Sequence, residues 1–528
     1  LKDLSDSALY ALYKNGRVHW EDYWLEWAPK RWFHVKHIPS GRSVRIWDSF
    51  PFFQCSELKA FETWGVDIPP EVVKGKAARH DFGLADLPHI IEYNRIELDT
   101  LIRLMNRLRV GMKEAEIPVG QWYGAGAAAS KLLQLNHVRE TIYETPSEME
   151  RAVLGATFGG RIEAGHFGSF AGPIWNGDLN SAYPAVLKML PDLSRGKWFH
   201  LSHPAELELL VSRSYPIVLY HVEWDFAHGS PYYPLPWRDK DGSIYFPRVG
   251  RSWAWTPEVL ACYRTGWPLK LIEGWVWIPT QPLRFPYAFI ADKYAARLKA
   301  GKKSGAGLAI KLALNALTGK IAQREGHYGR PTYRQFEVYG FITSFVRAQL
   351  WRFATRTPRR LKAVISFNTD GIFIKTHGPT PTFATEKLGR MAGTVYHFIE
   401  IAEAGVYRLQ REDGTWESCG RGFGKDGVPW DEWRRARAEG RKEIAVEVER
   451  LFTLGECLHV RNGRAWVDRK KWRSWGKVKK NLAVKTPSRK RIGTEPYDPQ
   501  FGVPCESAPH DPRRSETDES QTVELAET

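Results

Sequence analysis

The hydrophobic period of the chain changes several times, and the changes mark out its elements. Residues 18–27 (VHWEDYWLEW) and 43–53 (SVRIWDSFPFF) carry the aromatic-rich pattern of strands. Residues 90–109 (IIEYNRIELDTLIRLMNRLR) switch to a helical period, with Ile91, Leu98, Leu101 and Leu104 on the predicted inner face. The segment GAGAAASK (124–131) lacks the Gly-Lys-Ser/Thr order of a phosphate loop and predicts close helix packing instead. From about 150 to 425 strands and helices mix. An apolar strand runs down to Asp178 in GPIWNGDLNSAYPAVLKML (172–190), where Pro184 permits a helix to start. In LKAVISFNTDGIFIKT (361–376) two β-branched and aromatic runs flank NTDG, a hairpin signature. Residues 286–323 predict two helices with a Gly/Ser/Lys break near 300–307. Residues 426–493 predict a basic helical region, and the apolar-poor stretch 494–528 predicts disorder.

Composition narrows the possible partners. The 528 residues suffice for several domains, and 43% hydrophobic with 26% charged content excludes wholesale disorder. A formal charge of +16 together with 23 Trp, 21 Tyr and 25 Phe suits a polyanion whose bases can stack on rings. No run approaches the roughly 20 apolar residues of a membrane span. Five scattered cysteines without a CxxC pair encode neither a disulfide framework nor a zinc site, and favour a reducing compartment. The chain opens LKDLSDSALY, without an initiator Met, so a fragment lacking its true beginning is expected.

Three segments carry chemistry. Asp178 at a strand end and Asp370 in a hairpin supply carboxylate oxygen, the ligand type Mg²⁺ prefers when phosphates complete its shell; taken singly, each reads more readily as a cap or turn residue. In the 286–323 pair, Arg297 and Lys311 fall at one level if the helices run antiparallel about Ser304. Lys311, Asn315, Thr318 and Gly319 share one helix face. Two level cations and a Gly-bearing face suit a nucleoside triphosphate; a solvated basic helix pair is the alternative.

In this order the three segments resemble motifs A, B and C of the family B (α-like) DNA polymerases. The family's DxxSLYP stands here as Asp178-Leu179-Asn180-Ser181-Ala182-Tyr183-Pro184, its KxxxNSxYG as Lys311 to Gly319, and its DTD as Asn368-Thr369-Asp370. FGGR (Phe158, Gly159, Gly160, Arg161) is similar to the segment joining exonuclease and polymerase. GVYRLQREDGTWESCGRGFGK (405–425), with Tyr407 and Arg421, is similar to the entry to the thumb. Tyr93 and Glu97 in YNRIE resemble the third exonuclease motif. The resemblance covers about residues 40–425 and is nearest to phage or viral members. Departures are Asn368 for an Asp, Ala316 and Thr318 for Ser and Tyr, and Gly405 for the thumb-entry Lys. The short span from Gly319 to Asp370 leaves no room for the insertion of protein-primed members that displace strands.

The resemblance implies an α/β (α+β) multidomain right hand: a partial RNase H-like 3′–5′ exonuclease domain (1–110), a connecting segment (111–150), palm with motif A (151–285), fingers hairpin (286–325), palm with motif C (326–404), basic thumb (405–493) and tail (494–528). It implies template-directed addition of dNMP to a primer 3′-hydroxyl with two Mg²⁺, or Mn²⁺ in their place, held by Asp178, Asp370 and the backbone of Leu179. Tyr183, Arg297, Lys311, Asn315, Gly319 and the Leu179 amide would bind dNTP. Phe158, Gly159, Gly160, Tyr407, Arg421, Arg434, Arg435, Lys470 and Lys471 would bind primer-template DNA. Only Tyr93 and Glu97 survive of the exonuclease acids, so no proofreading is expected, and Asp48 reads as structural. The implied setting is viral or mobile-element replication in a bacterial cytoplasm, with a replication accessory or priming protein as a further partner. The competing readings are a DNA-binding polymerase relative without synthesis and another palm enzyme, a primase or reverse transcriptase.

Overall fold

The computed structural model describes residues 1–493 and 505–509, apart from 2, 30, 79–83, 241, 325–330, 377–384, 424–426, 473 and 485–490. The chain divides into two units: Leu1–His137 with Ile290–Lys320 and Glu447–Val478, and the remainder, Val138–Phe289 with Ile321–Val446 and Lys479–Thr528.

The first unit opens with an antiparallel meander of Arg17–Trp20, Tyr23–Ala28, Trp32–His37 and Ser43–Trp47, as the aromatic runs predict. Leu4, Leu9, Leu12 and Leu25 form a core with Leu454 and Val467, so part of the expected thumb packs here. The helix of 90–109 extends over Leu87–Glu114, past the expected domain limit at 110. Its buried stripe is Tyr93, Thr100, Leu104, Leu108, Gly111 and Met112, whereas Ile91 and Leu98 are 61% and 57% exposed. Leu104 is buried as the spacing implies, but Ile91 and Leu98 are not, because the buried seam runs through polar Glu97 and Thr100, which a hydrophobicity pattern passes over. GAGAAASK forms the packing helix expected of it, Ala125–Leu135, with Ala125, Ala127, Ala128 and Ala129 buried.

Two further helices of this unit, Phe289–Ala300 and Gly305–Ile321, match the expected pair. Gly301, at φ +89°, ends the first, and Ser304 Oγ accepts from the Gly307 amide at 3.0 Å to start the second. Ala309, Ile310, Ala313, Leu314, Leu317 and Ile321 bury one side of that second helix. Gly111 is required where it stands, since a Cβ there would lie 2.5 Å from the Gly305 carbonyl oxygen.

The second unit is built on an antiparallel sheet whose strands run in the order Trp416–Gly420, Val406–Gln410, Met391–Glu403, His166–Leu179, Gly371–Lys375, Val364–Thr369 and Arg161–Ala164. Phe167, Phe170, Ile174, Phe373, Ile399 and Ile401 pack its buried face. A smaller sheet, in the order Val249–Trp255, Val218–Asp225, Lys270–Pro279 and Gly196–Leu201, has its own core around Val218, Tyr220, Val222 and Trp224.

The basic region corrects the sequence reading. Among its described residues only Trp430–Ala438 forms an extended helix; Glu443–Leu451 and Trp475–Ala483 are strands that pair with each other. Gly476 fits there because a Cβ would meet the Phe452 ring at 2.0 Å, a close approach typical of glycine in strands. Residues 494–504 and 510–528 of the expected disordered tail lie outside the described residues. Between them, Cys505–Pro509 is a strand paired with Arg491–Gly493 and with the His166–Phe167 end of the long strand, which offers a free edge.

Candidate active site

Two pairings bring Asp178 and Asp370 together. Gly371 pairs with Asp178 across the strands, and the Leu179 amide donates to the Asp370 carbonyl at 3.1 Å. A Cβ built on Gly371 would lie 3.5 Å from Asp178 Oδ1. The hairpin expected at NTDG is present, Val364–Thr369 against Gly371–Lys375, but its positive φ falls on Thr369 at +62° rather than on Asn, Asp or Gly. A β-branched residue in that region stores strain, which surrounding structure must hold. Here the neighbouring strands Arg161–Ala164 and His166–Leu179 pair with the two arms of the hairpin.

Burial pushes the Asp370 carboxyl up, and among the described residues no cationic side chain neutralises it. Asn368 Nδ2 is buried nearby without a hydrogen-bond partner. A half-buried carboxylate without a counter-cation, one strand from a second carboxylate, fits an oxygen-ligated divalent ion. No larger cluster of metal-ligating side chains exists among the described residues.

Tyr183 lies on the helix Ala182–Leu187 that follows Asp178. Burial first, then the Asp370 charge, raises its phenol well above the usual value. Its hydroxyl is buried with no hydrogen-bond partner and occupies the space a Cβ on Gly160 would need, 2.6 Å away, with Thr369 Cγ2 at 2.7 Å. The Tyr407 ring meets Phe373 edge-on at 4.9 Å, and burial, Cys419 and the Asp178 charge raise its phenol. Gly405, at φ +86°, makes the turn before Tyr407, and the Arg421 side chain lies against it.

Several expected roles change. The Leu179 amide is taken by Asp370 and the Asn180 amide by the Arg390 carbonyl at 3.0 Å, so neither is open to a phosphate. Phe158 is 2% exposed beneath Arg238 and Arg347, so its ring offers no surface to DNA, whereas Gly159 and Gly160 are half-buried. Arg434 pairs with Asp431 and, at 3.0 Å, with the fully buried Glu400, so it is not a free phosphate cation. Arg435 is exposed in the second unit, and Lys470 and Lys471 are exposed in the first. Lys311, Asn315 and Gly319 share an open helix face, with nothing within 4 Å of a Cβ on Gly319, and Arg297 is half-buried with an unpartnered Nε.

Sequence reasoning missed Arg347. This residue, 2% exposed, binds Glu258 through Nε at 2.8 Å and Nη2 at 3.0 Å. Its Nη1 donates to the carbonyls of Phe158 at 3.1 Å and Gly159 at 2.6 Å, so it fixes the backbone that lies under Tyr183. The signal was an Arg set among apolar residues in the helix FEVYGFITSFVRAQLWRFA; Arg347 is buried and needs a partner, whereas the helix's second Arg, Arg352, is exposed.

Glu97, expected as part of an exonuclease motif, stands in an ion-pair network. Lys76 Nζ pairs with Glu97 and, at 2.6 Å, with Glu57, so an ammonium stands among these carboxylates. Asp48 accepts from the Phe50 amide at 2.9 Å and caps a helix start.

Residues 86–329 match the family model described as DNA polymerase type B, organellar and viral. No curated protein sequence matches the chain. The fold is similar to phi29 DNA polymerase complexed with single-stranded DNA (TM-score 0.58, 15% identity, covering 91% of this chain and 89% of that one). It is similar also to phi29 polymerase complexed with primer-template DNA and incoming nucleotide substrates (TM-score 0.54, 14% identity, 91% and 89%). Over residues 86–329 the chain is similar in sequence to the organellar and viral type B DNA polymerases, and its fold is that of phi29 polymerase.

Proposed function

We propose that the protein is a DNA-directed DNA polymerase that adds dNMP to a primer 3′-hydroxyl on a DNA template. The observation that carries this is the pairing of Asp178 beside the Asp370 hairpin, with an un-neutralised carboxylate at the tip. Asp178 and Asp370 would hold Mg²⁺ or Mn²⁺, which when bound lowers the pKa of the attacking hydroxyl and offsets phosphate charge. The chain's own groups orient the reactants. Tyr183, braced over Gly160, presents its ring to the incoming sugar. Lys311 and Arg297 neutralise triphosphate oxygens, Asn315 donates to them, and Gly319 leaves the helix face open to a flat base. The relatives of this fold include a polymerase solved with primer-template DNA and nucleotides, which supports the choice of substrate. A viral or mobile-element setting in a bacterial cytoplasm, and a priming or accessory partner, belong to the same proposal. Among the described residues no helix is long and apolar enough to cross a membrane.

The test is primer extension with dNTPs and with rNTPs, with and without Mg²⁺ or Mn²⁺. Metal-dependent extension with dNTPs, abolished in Asp178→Ala and Asp370→Ala, is expected. Full activity in either variant would overturn the reading, and DNA binding without synthesis would leave a polymerase-like binding protein, the reading that Asn368 favours.

A further inference from the structure

The exposed face of the smaller sheet carries a feature that polymerisation at Asp178 and Asp370 does not use. A cavity of about 960 Å³ opens there, walled by Trp237, Trp253 and Trp275 and flanked by Arg151 and Arg251. We infer that it binds a single-stranded stretch of nucleic acid, bases against the indoles and phosphates at the two arginines.

Three observations carry this. The first is charge. Arg151, on the helix Ser147–Gly155, and Arg251, on the strand Val249–Trp255, are exposed, and neither has a carboxylate partner among the described residues. Of the two acids that line the cavity, Glu148 is exposed at its edge and Glu273 is engaged by two histidines. Glu273 accepts from His200 Nε2 at 2.9 Å and from His221 Nδ1 at 2.9 Å, and these bonds hold its carboxyl below the usual range against the opposing effect of burial.

The second is the placement of flat groups. Trp253 and His221 are cross-strand partners that stack at 4.6 Å and 12°, which fixes that indole upright on the sheet. Trp275 stands two strands away, roughly 10 Å across the sheet, with His200 against it at 4.9 Å. Half-buried indoles held at fixed positions, with exposed Arg151 beside them and Arg251 donating through Nε to His221 Nε2 at 3.2 Å, form a stacking platform that tolerates any base sequence. A small apolar ligand would call for a more enclosed, apolar cavity instead.

The third is continuity. Phe158 and Arg238 line the same cavity, and Arg238 donates to the Thr157 carbonyl at 2.6 Å. The cavity therefore adjoins the FGGR segment, and a strand leaving that segment has a surface to follow. In this the inference extends the polymerase reading, while the binding itself does not require synthesis.

The test uses an oligothymidylate bearing 5-iodouracil, irradiated with the full-length protein in the absence of dNTPs and divalent metal. Peptides carrying Trp237, Trp253 or Trp275 should be crosslinked, and crosslinks found only elsewhere would overturn the inference. In a fluorescence titration with labelled oligothymidylate, the Arg151→Ala/Arg251→Ala variant should bind several-fold more weakly. The slope of log affinity against log salt should fall by about 1.4, from about 0.7 per single-strand phosphate contact. Unchanged affinity and slope in a folded double variant would also overturn it. A protein that crosslinks at these indoles but does not extend a primer sinks the polymerase reading and keeps this one. A protein that extends a primer but crosslinks only elsewhere does the reverse.

Discussion

Asp370 shows what the site costs. Burial raises its pKa, so the folded state disfavours the carboxylate. The stability associated with this group is therefore complete below the ordinary carboxylate range and is lost as pH rises through the raised pKa. In EDTA at pH 7, Asp370→Asn should melt several degrees higher than the unaltered protein, and the gap should close near pH 3. Added Mn²⁺ should raise the melting temperature of the unaltered protein and do much less for the variant; equal metal shifts would show that Asp370 is not a ligand. Tyr183 gives a second residue-scale expectation. Its hydroxyl makes no hydrogen bond, so Tyr183→Phe should preserve sugar discrimination, whereas Tyr183→Ala should raise the rNTP/dNTP incorporation ratio at least about tenfold, the equivalent of about 1.4 kcal/mol. An unchanged ratio in a folded Tyr183→Ala protein rules the steric role out. Gly160→Ala should lower incorporation of both substrates together, because its methyl group would meet Tyr183 and Thr369 at 2.6 and 2.7 Å.

At the scale of elements, two helical glycines should respond oppositely to the same change. Ala is favoured over Gly in a helix by about 1 kcal/mol. At Gly126 an added Cβ meets only Lys320 Cδ at 3.5 Å and Tyr123 at 3.7 Å, so Gly126→Ala should raise the melting temperature. At Gly111 the Cβ would drive into the Gly305 backbone, so Gly111→Ala should lower it and loosen the helix that carries Lys311. Thermal melts of the two variants decide this. The Lys76 network behaves as a structural element too. Lys76→Ala leaves Glu57 and Glu97 facing one another without a cation, so it should destabilise more than Glu97→Ala, and more at pH 7 than at pH 5. No metal-dependent 3′→5′ nucleotide release should accompany any of these proteins. The NTDG hairpin, the paired helices and the strand ending near Asp178 were legible because each is specified locally, by turn residues, a Gly/Ser break and an apolar run ending in Asp. The inner face of Leu87–Glu114 was not, because its seam is written with Glu97, Thr100 and Gly111. The strands after Ala438 were hidden because Lys and Arg on an exposed strand and on a solvated helix look alike in sequence. The smaller sheet and Arg347 depend on partners distant in the chain, such as Glu258, which no local window displays.

Over the whole molecule, the net charge of +16 describes a polyanion binder but does not say which cations do the binding. The fold sorts them. Arg434, itself 46% exposed, is held by Glu400, a fully buried acid that Arg408 also contacts at 2.5 Å, so its charge is already paired within the protein. Arg435, Lys470 and Lys471 are exposed, with Lys471 Nζ also 4.5 Å above the Phe452 ring. Cations that meet phosphates release counter-ions and leave their mark on salt dependence, while cations neutralised inside the protein leave theirs on stability. Titrations of primer-template DNA over a range of salt should separate the two groups. Lys470→Ala/Lys471→Ala should weaken binding equally on unrelated sequences, because phosphate contacts carry no sequence information. It should also flatten the salt slope by up to about 1.8, at about 0.9 per duplex phosphate contact. Arg434→Ala should leave that slope nearly unchanged and lower the melting temperature instead, since Glu400 keeps only one of its two arginines. If Arg434→Ala flattens the slope as much as the double lysine variant does without loss of stability, the internal pairing does not hold in solution and Arg434 returns to the DNA-binding set.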